Sequence, residues 1–282
     1  MTRAAARSAA MKSQSRTPKR RSPPVLILCG GQGTRIRGVA DDVPKPMMEI
    51  GGLPILWHIM KGYAAHGFRD FVLLLGYRGE VIRRFFLNYR AMMCDVTLSL
   101  GGTGRIEYRS RHQEEDWRVT LVHTGAEAMT GARVWRGAQR IGPGTFLATY
   151  GDGVSDIDLR ALLRFHRTHG KLATVTGVHP PGRFGELRTR GGRVVEFREK
   201  PQLAEGAING GFFVFERAFV EKYLADDDRL VLERDPLMRC AADGELMMFR
   251  HGGFWQPMDT YREWVILNDL WKSGKAPWKS WR

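Results

Sequence analysis

The chain has 282 residues, 43% of them hydrophobic, a formal net charge of +14 and three scattered cysteines. That is enough apolar material for one sizeable core or two small ones, and no apolar stretch approaches the length of a membrane span. Cys29, Cys94 and Cys240 show neither metal nor redox spacing, so no disulfide framework is expected and a reducing, cytoplasmic setting is the default.

Residues 1–24 hold half of the charge excess, with seven Lys or Arg and no acid, and are rich in Ala, Ser and Pro. They lack the apolar h-region of a secretory signal. A disordered basic extension is the expectation, with a transit-like peptide or a nucleic-acid arm as alternatives; Met11 is a second candidate start. The remaining excess suits a protein that handles phosphates. Aromatic residues are not interleaved with basic ones as in single-strand binders, so no nucleic-acid partner is expected, nor a membrane.

From residue 25 the signals alternate. Residues 25–29, Val-Leu-Ile-Leu-Cys, read as a buried strand, and Gly30-Gly31-Gln32-Gly33-Thr34-Arg35 follows at once. A helix is predicted over 54–65, a buried strand over 71–75 and a helix over 81–89. Strands are expected at 95–100, 106–109 and 118–122, a helix at 132–140 and a buried strand at 145–149. Residues 159–169 are predicted helical, then strands at 174–178, 194–198 and 212–215. The ending reads as mainly helical, with a short strand at 246–250 and a helix over 261–270. No internal repeat or linker appears after residue 24, so residues 25–282 are read as a single domain. This is an α/β pattern, with a mostly parallel mixed central sheet flanked by helices, Rossmann-like in kind. Such sheets bind ligands beyond the carboxyl ends of their strands.

Glycines at a strand end admit close backbone approach and offer bare N–H groups to an anion. Pro44-Lys45-Pro46 presents a lysine from a stiff loop ten residues after Arg35. Amides, a guanidinium and an ammonium at one strand end suit a polyphosphate, yet a P-loop lysine and the third glycine of a dinucleotide fingerprint are both missing. Asp152, in Gly151-Asp152-Gly153, is a candidate Mg²⁺ ligand at a second strand end. Asp259 is the candidate second carboxylate, with a helix N-terminal role ahead of 261–270 as the alternative. Glu199-Lys200-Pro201 reads either as a sugar-phosphate contact or as a surface salt bridge, and Asn209-Gly210-Gly211 as a sugar contact or a turn. Trp264 and Trp271, seven apart, share a helix face and are expected in a core or interface.

The pattern Gly-Gly-x-Gly-Thr-Arg…Pro-Lys-Pro resembles the signature of sugar-1-phosphate nucleotidyltransferases. Longer blocks, from Pro46 to Lys61, Tyr150-Gly151-Asp152-Gly153, Pro180 to Gly185, Ile208 to Phe213 and Gly253 to Trp281, are similar to the glucose-1-phosphate cytidylyltransferases over roughly residues 25 to 282. The resemblance implies transfer of a cytidylyl group from CTP to α-D-glucose 1-phosphate with Mg²⁺ as cofactor. It implies that Arg35 and Lys45 are catalytic. Nucleotide binding would fall to Leu28, Cys29, Gly30, Gly31, Gly33, Thr34, Arg35, Lys45, Thr130, Gly131, Arg133 and Gly151. The sugar phosphate would contact Tyr150, Glu199, Lys200, Asn209 and Gly210, and the metal Asp152 and Asp259. It further implies a homo-oligomer that supplies cell-surface polysaccharide. His123, Ala132 and Glu186 depart from the family pattern and bear on base and sugar selectivity rather than on catalysis. A nucleotidyltransferase with another base or sugar, and a non-catalytic nucleotide-sugar sensor on the same fold, are the competing readings.

Overall fold

The structure, a computed structural model, describes residues 22–31, 43–101, 104–114, 116–179, 186–190, 193–198 and 206–281. Chain order is β1 (Val25–Cys29), β2 (Glu49–Ile50), β3 (Leu53–Pro54), α1 (Ile55–Ala65), β4 (Asp70–Leu75), α2 (Gly79–Leu87), α3 (Tyr89–Met93), β5 (Val96–Leu98), β6 (Ile106–Tyr108) and β7 (Arg118–His123). It continues with α4 (Thr130–Ala138), β8 (Phe146–Tyr150), β9 (Gly153–Ser155), α5 (Leu159–His169), β10 (Ala173–Val178), β11 (Glu186–Arg190), β12 (Arg193–Arg198) and β13 (Ile208–Phe215). The last elements are α6 (Arg217–Tyr223), α7 (Asp235–Ala242), β14 (Leu246–His251), β15 (Trp255–Pro257) and α8 (Tyr261–Lys272).

Seven strands form the central sheet in the order β14-β10-β13-β8-β1-β4-β7. Every neighbouring pair is parallel except the two that involve β13, so the sheet is mixed and mostly parallel, as expected. Apolar runs such as Val-Leu-Ile-Leu-Cys suit strands covered on both faces. The period of two then divides them: Val25, Ile27 and Cys29 enter one core, and Leu26 and Leu28 the other. The first core is closed by α1, α5 and the tryptophan-rich ending, the second by α4, α6 and α7.

The strand order also places the cleft. From β1 the chain steps outward through β4 to β7, then returns to the other side of β1 as β8. The chain leaves β1 toward β4 and β8 toward β10, in opposite directions along the sheet, and a crevice opens beyond the carboxyl ends of β1 and β8. Leu28 is in register with Tyr150, and Gly151 N donates to Leu28 O at 3.0 Å, which brings Gly151 against the end of β1.

Several element ends differ from expectation for local reasons. α5 holds its predicted bounds because Asp158 accepts from the N–H groups of Arg160 and Ala161, both at 2.9 Å, and Gly170 at φ +66° ends it. The helix expected over 132–140 starts two residues earlier, since Leu230 O accepts from Gly131 N at 2.8 Å and Ala132 N at 3.4 Å. A loop a hundred residues away thus supplies the cap. The helix expected over 81–89 breaks at Asn88, whose side chain and backbone N–H both donate to Arg84 O. The antiparallel partner β11 of β12 was not predicted.

The chain ending is fastened to α1 through His58, which is almost fully buried. Its Nδ1 accepts from Trp278 Nε1 at 3.4 Å and its Nε2 meets Ile50 O at 2.8 Å, the arrangement of a neutral ring. Trp57 and Trp271 lie edge-on at 5.2 and 4.6 Å. Burial pushes the His58 pKa down to about 4. Trp264 also joins this packing and donates Nε1–H to Glu49 O at 2.8 Å, so both tryptophans of α8 face the core. Among the described residues no helix is long and apolar enough to cross a membrane.

Candidate active site

A cleft of about 600 Å³ lies beyond the carboxyl ends of β1 and β8, within the size range of small-molecule sites. Leu28, Gly30, Gly31, Lys45, Thr130, Arg133, Tyr150, Gly151, Asp152, Asn209, Gly210 and Asp259 all line it. Twelve of the residues singled out from sequence thus share one wall system. Cys29 does not: its side chain is buried in the opposite core, where burial first and Asp152 second raise the thiol pKa far above its ordinary value. Gly131 does not either, because its N–H is bonded to Leu230 O and a Cβ there would stand 2.8 Å from that oxygen. Gly33, Thr34, Arg35, Glu199 and Lys200 lie outside the described residues.

The charged centre joins three distant segments. Lys45 follows the extended Pro44 and starts a single helical turn whose Pro46 and Met47 are buried. Its Nζ donates to Asp152 Oδ2 at 3.0 Å and to Asp259 Oδ1 at 2.6 Å. Asp259 is free to do this because the capping of α8 is done by its neighbours. Thr260 Oγ1 accepts from Glu263 N at 3.3 Å, and Glu263 Oε2 accepts from Thr260 N and Asp259 N at 2.9 and 2.7 Å. The side chain of Asp259 is therefore not the helix cap.

Burial pulls the Lys45 ammonium down, but Asp152 and then Asp259 more than offset it, and its pKa stands above the ordinary value. Burial pushes the Asp152 carboxyl up, against the pull of Lys45 and with the help of the negative Asp259. Two carboxylates on one ammonium leave a net negative charge. A small divalent ion that takes one or two carboxylates and completes its shell with phosphate oxygens and water fits this donor pair. Among the described residues no cluster of three or more His, Cys, Asp or Glu is placed to hold a metal ion, so other oxygens have to complete such a shell.

Arg133 is a clamp. Its Nη1 donates to Leu75 O (3.2 Å), Thr124 Oγ1 (2.7 Å) and Gly125 O (2.8 Å), and its Nη2 to Gly30 O (3.1 Å) and Ala126 O (3.2 Å). It ties the loops after β1, β4 and β7 together. The guanidinium runs so close to Gly30 that a Cβ there would sit 2.2 Å from Cζ; this glycine is required by close approach as well as by the cleft. Nothing in the local sequence signals the clamp, because its partners are carbonyls of three separate loops.

A second polar chain was not anticipated. Thr130 Oγ1 donates to Glu233 Oε2 at 2.6 Å, and the Tyr150 hydroxyl donates to Glu233 Oε1. Asn209 Nδ2 donates to the Tyr150 oxygen at 3.3 Å, while its Oδ1 accepts from Gly211 N at 2.8 Å. Gly211, at φ +78°, also leaves room for the Tyr150 ring, which a Cβ would meet at 2.4 Å. Glu233 was not singled out from the sequence.

The family model of nucleotidyl transferases matches residues 24–256. The chain belongs to the nucleotidyl transferase family. Within it, the chain is 51% identical over 257 residues to the glucose-1-phosphate cytidylyltransferase of Salmonella typhimurium, covering 91% of this chain and 98% of that one. It is 43% identical to a probable glucose-1-phosphate cytidylyltransferase of Bacillus subtilis, with 91% and 99% covered. Among solved structures, HddC from Yersinia pseudotuberculosis complexed with GMP-PN is similar at a TM-score of 0.63 and 20% identity, covering 89% of this chain and all of that one. At that identity the likeness speaks for the nucleotidyl transferase fold alone.

Proposed function

We propose that this chain transfers a cytidylyl group from CTP to α-D-glucose 1-phosphate, releasing pyrophosphate and CDP-glucose. The observation that carries the reading is the meeting of Lys45, Asp152 and Asp259 at the β1–β8 crevice, in a chain half identical to a cytidylyltransferase over nearly its full length. A phosphate oxygen of the sugar phosphate attacks the α-phosphorus of CTP in line. The bond to the β-phosphate oxygen breaks, and no covalent enzyme intermediate is needed. The protein's part is positioning and charge stabilisation.

The backbone of Gly30, Gly31 and Gly151 faces the nucleotide, with Leu28 and Thr130 on the wall beside it. Gly33, Thr34 and Arg35 are assigned to the β- and γ-phosphates and the leaving pyrophosphate. Lys45 supplies positive charge for the α-phosphate as charge grows there. Asp152 and Asp259 would hold Mg²⁺, which when bound neutralises and orients phosphate oxygens. Arg133 keeps the strand-end loops in place rather than offering its Nη groups to a ligand. Tyr150, Asn209 and Gly210, with Glu199 and Lys200, are assigned to the sugar phosphate. Residues 25–282 are read as one catalytic unit, acting in the cytoplasm as a homo-oligomer, with residues 1–24 dispensable.

Pyrophosphate release measured for CTP, dTTP, UTP, ATP and GTP, each with several sugar 1-phosphates, tests the reading. The expected result is the highest kcat/KM for CTP with glucose 1-phosphate. A higher value for another pair reassigns the substrates, and no release from any pair returns the chain to a binding role.

A further inference from the structure

We propose that Glu233 is a positioning residue that fixes the hydroxyls of Thr130 and Tyr150 as hydrogen-bond acceptors toward the cleft, and so favours an amino-bearing pyrimidine over one with a carbonyl there. The inference rests on the function proposed above and names a source of its base selectivity. Thr130 and Tyr150 line the cleft, whereas Glu233 stands behind them.

An ionised carboxylate only accepts. Both hydroxyl protons point to it, one from Thr130 at 2.6 Å and one from Tyr150. A phenol is protonated at neutral pH, so Tyr150 keeps the proton it donates. Thr130 Oγ1 also accepts from Leu232 N at 2.9 Å, which leaves it one lone pair and no proton for a ligand. The Tyr150 oxygen accepts from Asn209 Nδ2 at 3.3 Å and is in the same position.

Thr130 shares the cleft lining with Leu28, Ala126, Ala128 and Met129, apolar residues that suit a base, and with the charged Glu127. The exocyclic amino group of cytosine is a donor and matches an acceptor. The carbonyl of uracil at the same position meets a lone pair. A hydrogen-bonding site left with an unmatched polar group is penalised more than a site that is merely loose. Tyr150 presents its lone pair toward sugar hydroxyls by the same logic.

Glu233→Gln is the test, with kcat/KM measured for CTP and UTP against glucose 1-phosphate and thermal melting followed in parallel. The glutamine amide can donate to Thr130, freeing the threonine proton for a carbonyl. The expected result is a fall of about tenfold in the CTP-to-UTP ratio, the scale of one hydrogen bond, with little change in the melting temperature. If Glu233→Gln does not fold, Thr130→Val carries the test: CTP efficiency should fall about tenfold and UTP efficiency should hardly move. An unchanged ratio in the folded variant overturns the proposal, even where stability or overall rate declines. A wild-type protein that shows no preference for CTP overturns instead the function on which it rests.

Discussion

Lys45 and Lys61 are both drawn out of solvent onto carboxylates, yet the two clusters are built differently. Lys45 meets two carboxylates whose side chains remain 31% and 30% exposed, and the group opens on the cleft. Lys61 pairs with one, Glu114, at 10% and 7% exposure, and also donates to Gln113 Oε1 at 3.1 Å. The rings of Trp57 and Trp117 lie 5.3 and 6.0 Å from its Nζ. The Lys61 pair is neutral and packed against aromatic side chains, with Glu114 on the wall of a second cleft of about 630 Å³. The Lys45 group carries an excess negative charge, and its carboxylates face the cleft. A lysine–carboxylate contact is therefore not a functional sign in itself; the excess negative charge and the partly exposed carboxylates are what separate the cleft group from a strut.

The largest expected effect lies on the closed side. Lys61→Met removes the only ammonium paired with the buried Glu114 among the described residues, leaving it His112 Nδ1 at 3.6 Å, and should lower stability by about 3 kcal/mol, read by denaturant unfolding. Turnover per folded molecule should stay within about twofold of wild type. A strong loss of kcat with unchanged stability would erase the contrast.

On the open side, Lys45→Ala should reduce kcat on the order of 10²–10³ and alter the unfolding free energy much less than Lys61→Met does. The loss should appear in kcat rather than in KM for CTP, because the charge it serves develops in the transition state. Arginine should rescue it only in part, since a planar fork does not reproduce a compact ammonium. An effect confined to KM would make Lys45 a ground-state phosphate contact.

His58 sharpens the comparison from a third side, as a buried titratable group with no counter-charge. Its pKa lies at about 4 in the fold against an ordinary 6.5. Between those values the unfolded chain binds the extra proton, so stability is fully present above pH 6.5 and falls as the pH drops toward 4. The shift corresponds to roughly 3 kcal/mol. A pH series of denaturant midpoints should show this slope in wild type and a flatter one in His58→Phe. Equal slopes would place the acid sensitivity elsewhere.

Legibility in the sequence followed the range of each interaction. β1 and the Gly30-Gly31 pair at its end are local, and so is Lys45 between two prolines; all were readable without a partner. α5 kept its bounds because its start and stop, Asp158 and Gly170, are local too. Asp259 was named as a candidate, but its alternative as a cap could be removed only by seeing Thr260 and Glu263 take that role. Lys45 and Asp259 are 214 positions apart, a pairing that periodicity cannot supply. The Arg133 clamp and the Glu233 link were invisible for the same reason: their partners are loop carbonyls and hydroxyls brought together by the sheet order. Arg35 and Lys200, the other two basic candidates, lie outside the described residues.

The Mg²⁺ dependence of pyrophosphate release from CTP and glucose 1-phosphate, compared for wild type, Asp259→Asn and Lys61→Met, tests the contrast most directly. EDTA should abolish turnover in all three, and added Mg²⁺ should restore it. Lys61→Met should need the same Mg²⁺ concentration as wild type for half-maximal rate. Asp259→Asn should need about 10–100-fold more, the scale for disturbing one group at a metal site. Wild-type turnover by Asp259→Asn at low Mg²⁺ would contradict the account, leaving Lys45 and its carboxylates as another structural ion pair.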